Sequence, residues 1–184
     1  MSASKKRTVL LGLALLIFLA LAYVENMAFF GLSKDLFANP HFTMRVMAVG
    51  VVFVHNVLVV SLILLAMTFY VELVLSFFKP KKYEYVVLQH PRVFAFVFTL
   101  MIILLSIFRA STIALGSVII NALATVILLS LPSGIIEAYA IYLTIQKTLK
   151  RTMTLRDLLA IYLLLLIAAV VEVGFIHLLV ISSA

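Results

Sequence analysis

Long apolar runs fill most of this chain, and its basic residues are gathered between them rather than spread along it. A run of about 18 or more apolar residues cannot be hidden in a domain of this size, yet it is long enough to cross a hydrocarbon core of roughly 30 Å as a helix. The sequence therefore predicts an all-α fold, a polytopic membrane helical bundle forming a single transmembrane domain over residues 1–184 and seated in a cell membrane. Composition agrees, because only 11% of the residues are charged and the mean hydropathy is +1.29, against roughly 25% charged in a soluble domain. A formal net charge of +7 would suit nucleic acid. Here, however, the basic residues sit at the ends of apolar runs, where they orient helices and meet anionic lipid. The expected partners are the lipid bilayer, with anionic head groups at the basic inner loops, and further copies of the chain or other membrane subunits, but no nucleic acid. The chain has no cysteine, which excludes disulfides, thiolate catalysis and Cys-ligated metal.

Five spans are expected, at about 8–24, 46–78, 93–112, 113–146 and 158–181. The first follows Lys5, Lys6 and Arg7, and Ala20-Leu21-Ala22 resembles a signal-peptidase site. Its apolar stretch is longer than most signal cores and Met1 is still in place, so the segment is expected to be retained. The second closes on Lys79, Lys81 and Lys82, and the third follows Pro91 and Arg92. The stretch 113–146 is ambiguous, since a straight helix of that length would measure about 51 Å, too long for one crossing and too short for two comfortable ones.

Charge decides between them. With one crossing, the cytoplasmic side holds Lys5, Lys6, Arg7, Lys79, Lys81, Lys82, Arg92, Lys147, Lys150, Arg151 and Arg156, leaving only Lys34, Arg45 and Arg109 outside. With two crossings the basic residues divide evenly, which has no orienting power. The N-terminus is accordingly expected inside and the C-terminus outside.

The fourth span contains Pro132, Ser133 and Gly134. Proline removes a backbone donor and glycine weakens the helix further, so a break or unwound turn is expected there, as either a packed kink or a functional cavity. Thr154-Leu155-Arg156-Asp157 has the shape of a capping box, with Asp in place of Glu, and marks the start of the last helix. The segment 25–45, with Phe29, Phe30, Leu36, Phe37 and Phe42 among polar residues, is expected to lie on the outer interface, where it could also receive a partner.

Ionisable groups inside spans are expensive unless paired or wetted. His55 and Asn56 fall near the middle of span two, and Glu137 lies about 15 Å up from the inner surface, so these three are expected to meet near the midplane beside Pro132 and Gly134. Arg109 and Glu172 fall at comparable depth in the outer half and are expected to pair. Ser117, Asn121 and Thr125 recur at four-residue spacing, a stripe suited to close helix packing. Glu72, seven residues before Lys79, reads as a snorkelling or interface carboxylate. Glu172 and His177 are five apart, about 140° around a helix, and no His–x3–His or Glu–x2–His pair occurs, so neither a metal nor another cofactor is expected. There is no phosphate-binding loop, HExxH or GxSxG, so ATP energy would have to come from a separate subunit.

Four short motifs in order resemble the stage II sporulation protein M family. They are Val52-Phe53-Val54-His55-Asn56-Val57-Leu58, the small-residue turn Ala114-Leu115-Gly116, Leu131-Pro132-Ser133-Gly134-Ile135-Ile136-Glu137, and Ala168-Ala169-Val170-Val171-Glu172. The resemblance covers roughly residues 47 to 178. It departs at Ser133, where the family motif has histidine, and in lacking the glycines that follow the family's asparagine. It implies a polytopic protein without enzymatic activity, working in an envelope complex beside separate degradative partners. Two function classes remain open: a non-enzymatic scaffold or assembly subunit of a cell-envelope membrane complex, and a membrane-embedded transport component with a midplane polar site.

Overall fold

The computed structural model describes residues 3–38, 41–77, 86–115 and 120–183. Six helices occupy them in order: α1 Ala3–Ala38, α2 Phe42–Phe77, α3 Val86–Gln89, α4 Pro91–Leu115, α5 Ile120–Leu149 and α6 Leu155–Ser183. No strand occurs among the described residues. Among the same residues four stretches are long and apolar enough to cross a membrane: Lys5–Phe29, Phe42–Phe77, Pro91–Phe108 and Leu155–His177. A chain this apolar favours helices because each one satisfies its backbone donors and acceptors internally.

The helix ends follow from local chemistry. At α4, Pro91 takes the first position, where its missing N–H leaves nothing unsatisfied, and the His90 carbonyl accepts the Phe94 N–H at 3.1 Å. At the end of α5 the Thr152 N–H reaches the Lys147 carbonyl and the Arg151 N–H reaches that of Thr148, each at 3.0 Å. Arg151 has φ 58°, the left-handed geometry with which this paired closure ends a helix. The Thr154–Asp157 spacing does form a capping box: the Asp157 N–H donates to Thr154 Oγ1 at 3.2 Å, and the Thr154 N–H donates back to Asp157 Oδ2 at 3.0 Å. Lys147 ties the turn together by pairing with the Asp157 carboxylate.

Three expectations are corrected. The segment 25–45 is not a separate surface element, because α1 continues unbroken to Ala38 and α2 begins at Phe42. Of its described side chains, Phe29 and Leu36 join a buried cluster with Ala48, Val52, Ala169 and Val173, while Met27, Leu32 and Phe42 are exposed. The stretch 113–146 is shared between elements, residues 113–115 closing α4 and residues 120–146 forming most of α5. Finally, α5 runs through Pro132 as α-helix with no unwound turn. The Ser130 hydroxyl donates to the Ile127 carbonyl at 3.4 Å and the Ser133 hydroxyl to that of Ser130 at 3.2 Å.

The helix α2 lies against α1, α5 and α6, while α4 packs on α5 and α5 on α6. Contacts at Thr8–Glu72 and Glu25–His55 run α1 antiparallel to α2. Gly12 permits this close approach, since a Cβ there would lie 3.1 Å from the Phe69 ring. Ala140, Thr144 and Thr148 form a buried stripe at four-residue spacing on α5. The two threonine hydroxyls turn back onto carbonyls of their own helix, at 2.8 and 2.6 Å, leaving an apolar, small-residue face for packing. The main core joins Val60 and Met67 of α2, Ala95 of α4, Ile145 of α5, and Ile161 and Leu165 of α6.

At one end of the bundle Glu72 collects two arginines, with Arg7 at 3.7 Å and Arg151 at 4.0 Å. The start of α1, the end of α2 and the α5–α6 turn therefore share that end, and with them Lys5, Lys6, Lys147 and Lys150.

Replacing Thr154 with Ala removes the side-chain acceptor of the capping box and is expected to lower stability by about 1 kcal/mol, whereas Thr154→Ser retains it. Denaturant unfolding in micelles checks this, and equal midpoints for Thr154→Ala and wild type would show that the box adds nothing.

Candidate functional site

Consecutive residues on a helix point about 100° apart, so His55 and Asn56 of α2 serve different neighbours. His55, 3% exposed, faces α1. Its Nδ1 lies 3.0 and 2.9 Å from the two carboxylate oxygens of Glu25. Phe29, one turn along α1, stacks on the imidazole with ring centroids 4.4 Å apart and planes inclined by 26°. Asn56 faces α5, where its Nδ2 donates to Glu137 Oε1 at 2.6 Å. The expected meeting of His55, Asn56 and Glu137 thus divides into two contacts, Asn56 taking Glu137 while His55 turns to Glu25.

Two hollows flank this layer. On the α5 side, Asn56, Ser106 and Glu137 border a hollow of about 30 Å³ closed by Val60, Ile102 and Leu165. That is room for about one water, whereas sites for small molecules run to roughly 300–1,000 Å³. On the α1 side, Glu25, Phe29, Met47, Gly50 and Val54 line a shallow groove of about 380 Å³ between α1 and α2. Apart from the Glu25 carboxylate, this groove is apolar.

Ser133 is buried, while Pro132 and Gly134 are half-buried on α5, about one turn before Glu137. Their backbone stays in the helix, so they position Glu137 without opening a cavity of their own. Glu172 is half-buried on α6. The side chain of Arg109 lies outside the described residues, and so does the expected Arg109–Glu172 pair. Ser117 and the side chains of Asn121 and Thr125 lie outside them as well. Among the described residues no three histidine, cysteine or acidic side chains gather as a metal site would require.

Glu25 and Phe29 were hidden from sequence reasoning because the apolar run ends at Val24, which makes Glu25 look like the point of exit. Their four-residue spacing was the available signal, since it sets both on one face if the helix continues. A third tie escaped notice too: the hydroxyls of Ser61 on α2 and Tyr162 on α6 lie 3.1 Å apart. Chemically, the site pairs one titratable contact, Glu25–His55, with one contact whose donor cannot titrate, Asn56–Glu137.

Asn56→Leu leaves Glu137 without its amide donor and is expected to lower stability by about 1–3 kcal/mol. A double-mutant cycle with Glu137→Gln, read by unfolding in micelles, should show a coupling of about 0.5 kcal/mol or more. Strict additivity would show that the 2.6 Å contact carries no stability. No protein-family model, no curated protein and no solved structure matches the chain.

Proposed function

We propose that this chain is a non-enzymatic, multi-pass protein of a cell membrane, acting as a scaffold or assembly subunit of an envelope complex. The observation that carries the reading is the closed Asn56–Glu137 contact, whose adjoining hollow of about 30 Å³ is too small to admit a solute. Broad apolar faces support it. Leu13, Leu16, Ile17 and Leu21 of α1 are exposed, as are Phe96, Val97, Leu100 and Leu104 of α4. Such faces suit lipid or the helices of further subunits, including copies of this chain.

The arrangement proposed has five spans, with α5 as the fourth, the N-terminus inside and the C-terminus outside. The common end around Glu72 supports it, since the basic residues there would all meet one anionic leaflet. The motif resemblance to the stage II sporulation protein M family points to the same kind of role.

A transport component is the second reading, favoured by the polar layer of Glu25, His55, Asn56 and Glu137. Glu137→Gln separates the two, because it keeps size and hydrogen bonding while removing titration. A scaffold is expected to fold normally and to bring down the same proteins from native membranes in mild detergent. Loss of proton- or solute-coupled flux with partners retained would favour transport instead. Protease added outside sealed vesicles is expected to spare the connection at 150–154, and cleavage there would refute the five-span arrangement.

A further inference from the structure

We propose that Glu25 and His55 form a binding site for one proton, and that its occupancy sets whether α1 stays seated on α2 at that depth. The inference rests on membrane placement and not on the assembly role. His55 is buried, and its Nδ1 is nearly equidistant from both oxygens of Glu25. That geometry lets the imidazole Nδ1–H donate to the carboxylate. Phe29 lies stacked on the imidazole, and an aromatic face stabilises a cation beside it.

Charge bookkeeping defines the site. An anionic Glu25 beside a neutral imidazole leaves one net negative charge between the helices. One proton taken from water makes the pair neutral overall, and a second leaves it net positive. Only the singly protonated pair avoids an uncompensated charge in the hydrocarbon layer. Among the described residues, further polar groups reach this layer from the neighbouring helices. From α5, Glu137 is directed to Asn56. From α6, Glu172 adjoins Val173, which packs in the same cluster as Phe29 and Val52. From α4, Ser106 at the neighbouring hollow is uncharged.

The consequence falls on α1. Polar ties of α1 to α2 also lie at the far end of the helix, where Arg7 and Thr8 meet Glu72. Beside His55 the two helices are separated by the apolar groove that Glu25 borders. A charged pair there draws water into the groove and loosens the seat of α1, whereas a neutral pair keeps it dry and closed.

The absence of native cysteine makes two introduced labels unique. Spin labels at Leu32→Cys and Met47→Cys, both on exposed groove positions, report the α1–α2 separation in phosphatidylcholine vesicles as pH is varied. The expected distance distribution is short and narrow around neutral pH, and lengthens and broadens toward both acid and alkali. Glu25→Gln is expected to remove the alkaline opening and leave the acid one, because the imidazole of His55 then titrates alone. His55→Gln is expected to remove the acid opening and leave the alkaline one, and it serves if Glu25→Gln fails to fold. Infrared difference spectra should lose one titrating carboxylate–imidazole signature in either variant. A wild-type distance that ignores pH overturns the proposal, as does a two-sided pH response surviving in either variant. Relaxation of the same labels by oxygen against a water-soluble nickel chelate reports membrane placement separately, so a failure of that premise is distinguishable.

Discussion

Where the outer surface of a helix bundle is apolar and meets lipid, an apolar side chain gains little by facing another helix instead. Polar side chains that need partners, and the small residues that let backbones approach, then decide which helices touch. In this chain those decisions converge on α2. His55 binds it to α1, Asn56 to α5 and Ser61 to α6. Glu72 reaches Arg7 and the α5–α6 turn. Because His55 and Asn56 are adjacent in sequence, one turn of one helix fixes the azimuth of two neighbours at once. The closely packed remainder follows from that registration: Val52 meets Ala169 and Val173, and Val60 meets Ile141 and Leu165.

The contacts are unequal in strength. Both arginines on Glu72 are more than half exposed, at 68% and 55%, and ion pairs so placed contribute only about 0–1 kcal/mol each. Their role is alignment, holding three chain segments at a common end. The Asn56–Glu137 contact is short and its donor buried, where a lost partner is far more costly. Gly12 and the Ala140–Thr144–Thr148 stripe act differently again, permitting close helix approach rather than supplying attraction.

The all-helical fold was legible in the sequence because apolar runs of this length admit few other solutions, and the α6 start was legible because a capping box is a local pattern. What misled was treating charge as the end of a run. Glu25 reads as an exit from an apolar segment only when its partner is unseen, and that partner lies on α2, thirty residues later. Pro132 misled for the converse reason: the donor it removes is visible in sequence, while the packing of α5 against α2, α4 and α6, which holds the helix through it, is not. The candidate site was half legible. Asn56 and Glu137 stood out as scarce polar groups, but single-residue depth cannot reveal which of two adjacent side chains faces which helix. Arg109, Ser117, Asn121 and Thr125 offer no comparison, since their side chains lie outside the described residues.

The two halves of the polar layer differ in a way that bears on both functional readings. Asn56 cannot change charge, so its hold on Glu137 persists at any pH that leaves the carboxyl oxygen an acceptor. It ties α2 to α5, which also packs on α4 and α6. His55 can change charge, and it ties α2 to α1, a helix that meets little of the bundle beyond α2. The invariant contact therefore lies between well-braced helices, and the titratable one between α2 and a helix seated mainly on α2. A scaffold needs a rigid body, and an assembly subunit gains from one element whose seating responds to its surroundings. A transporter would need the reverse, with the titratable group beside an enlargeable cavity between the braced helices, where instead there is room for about one water.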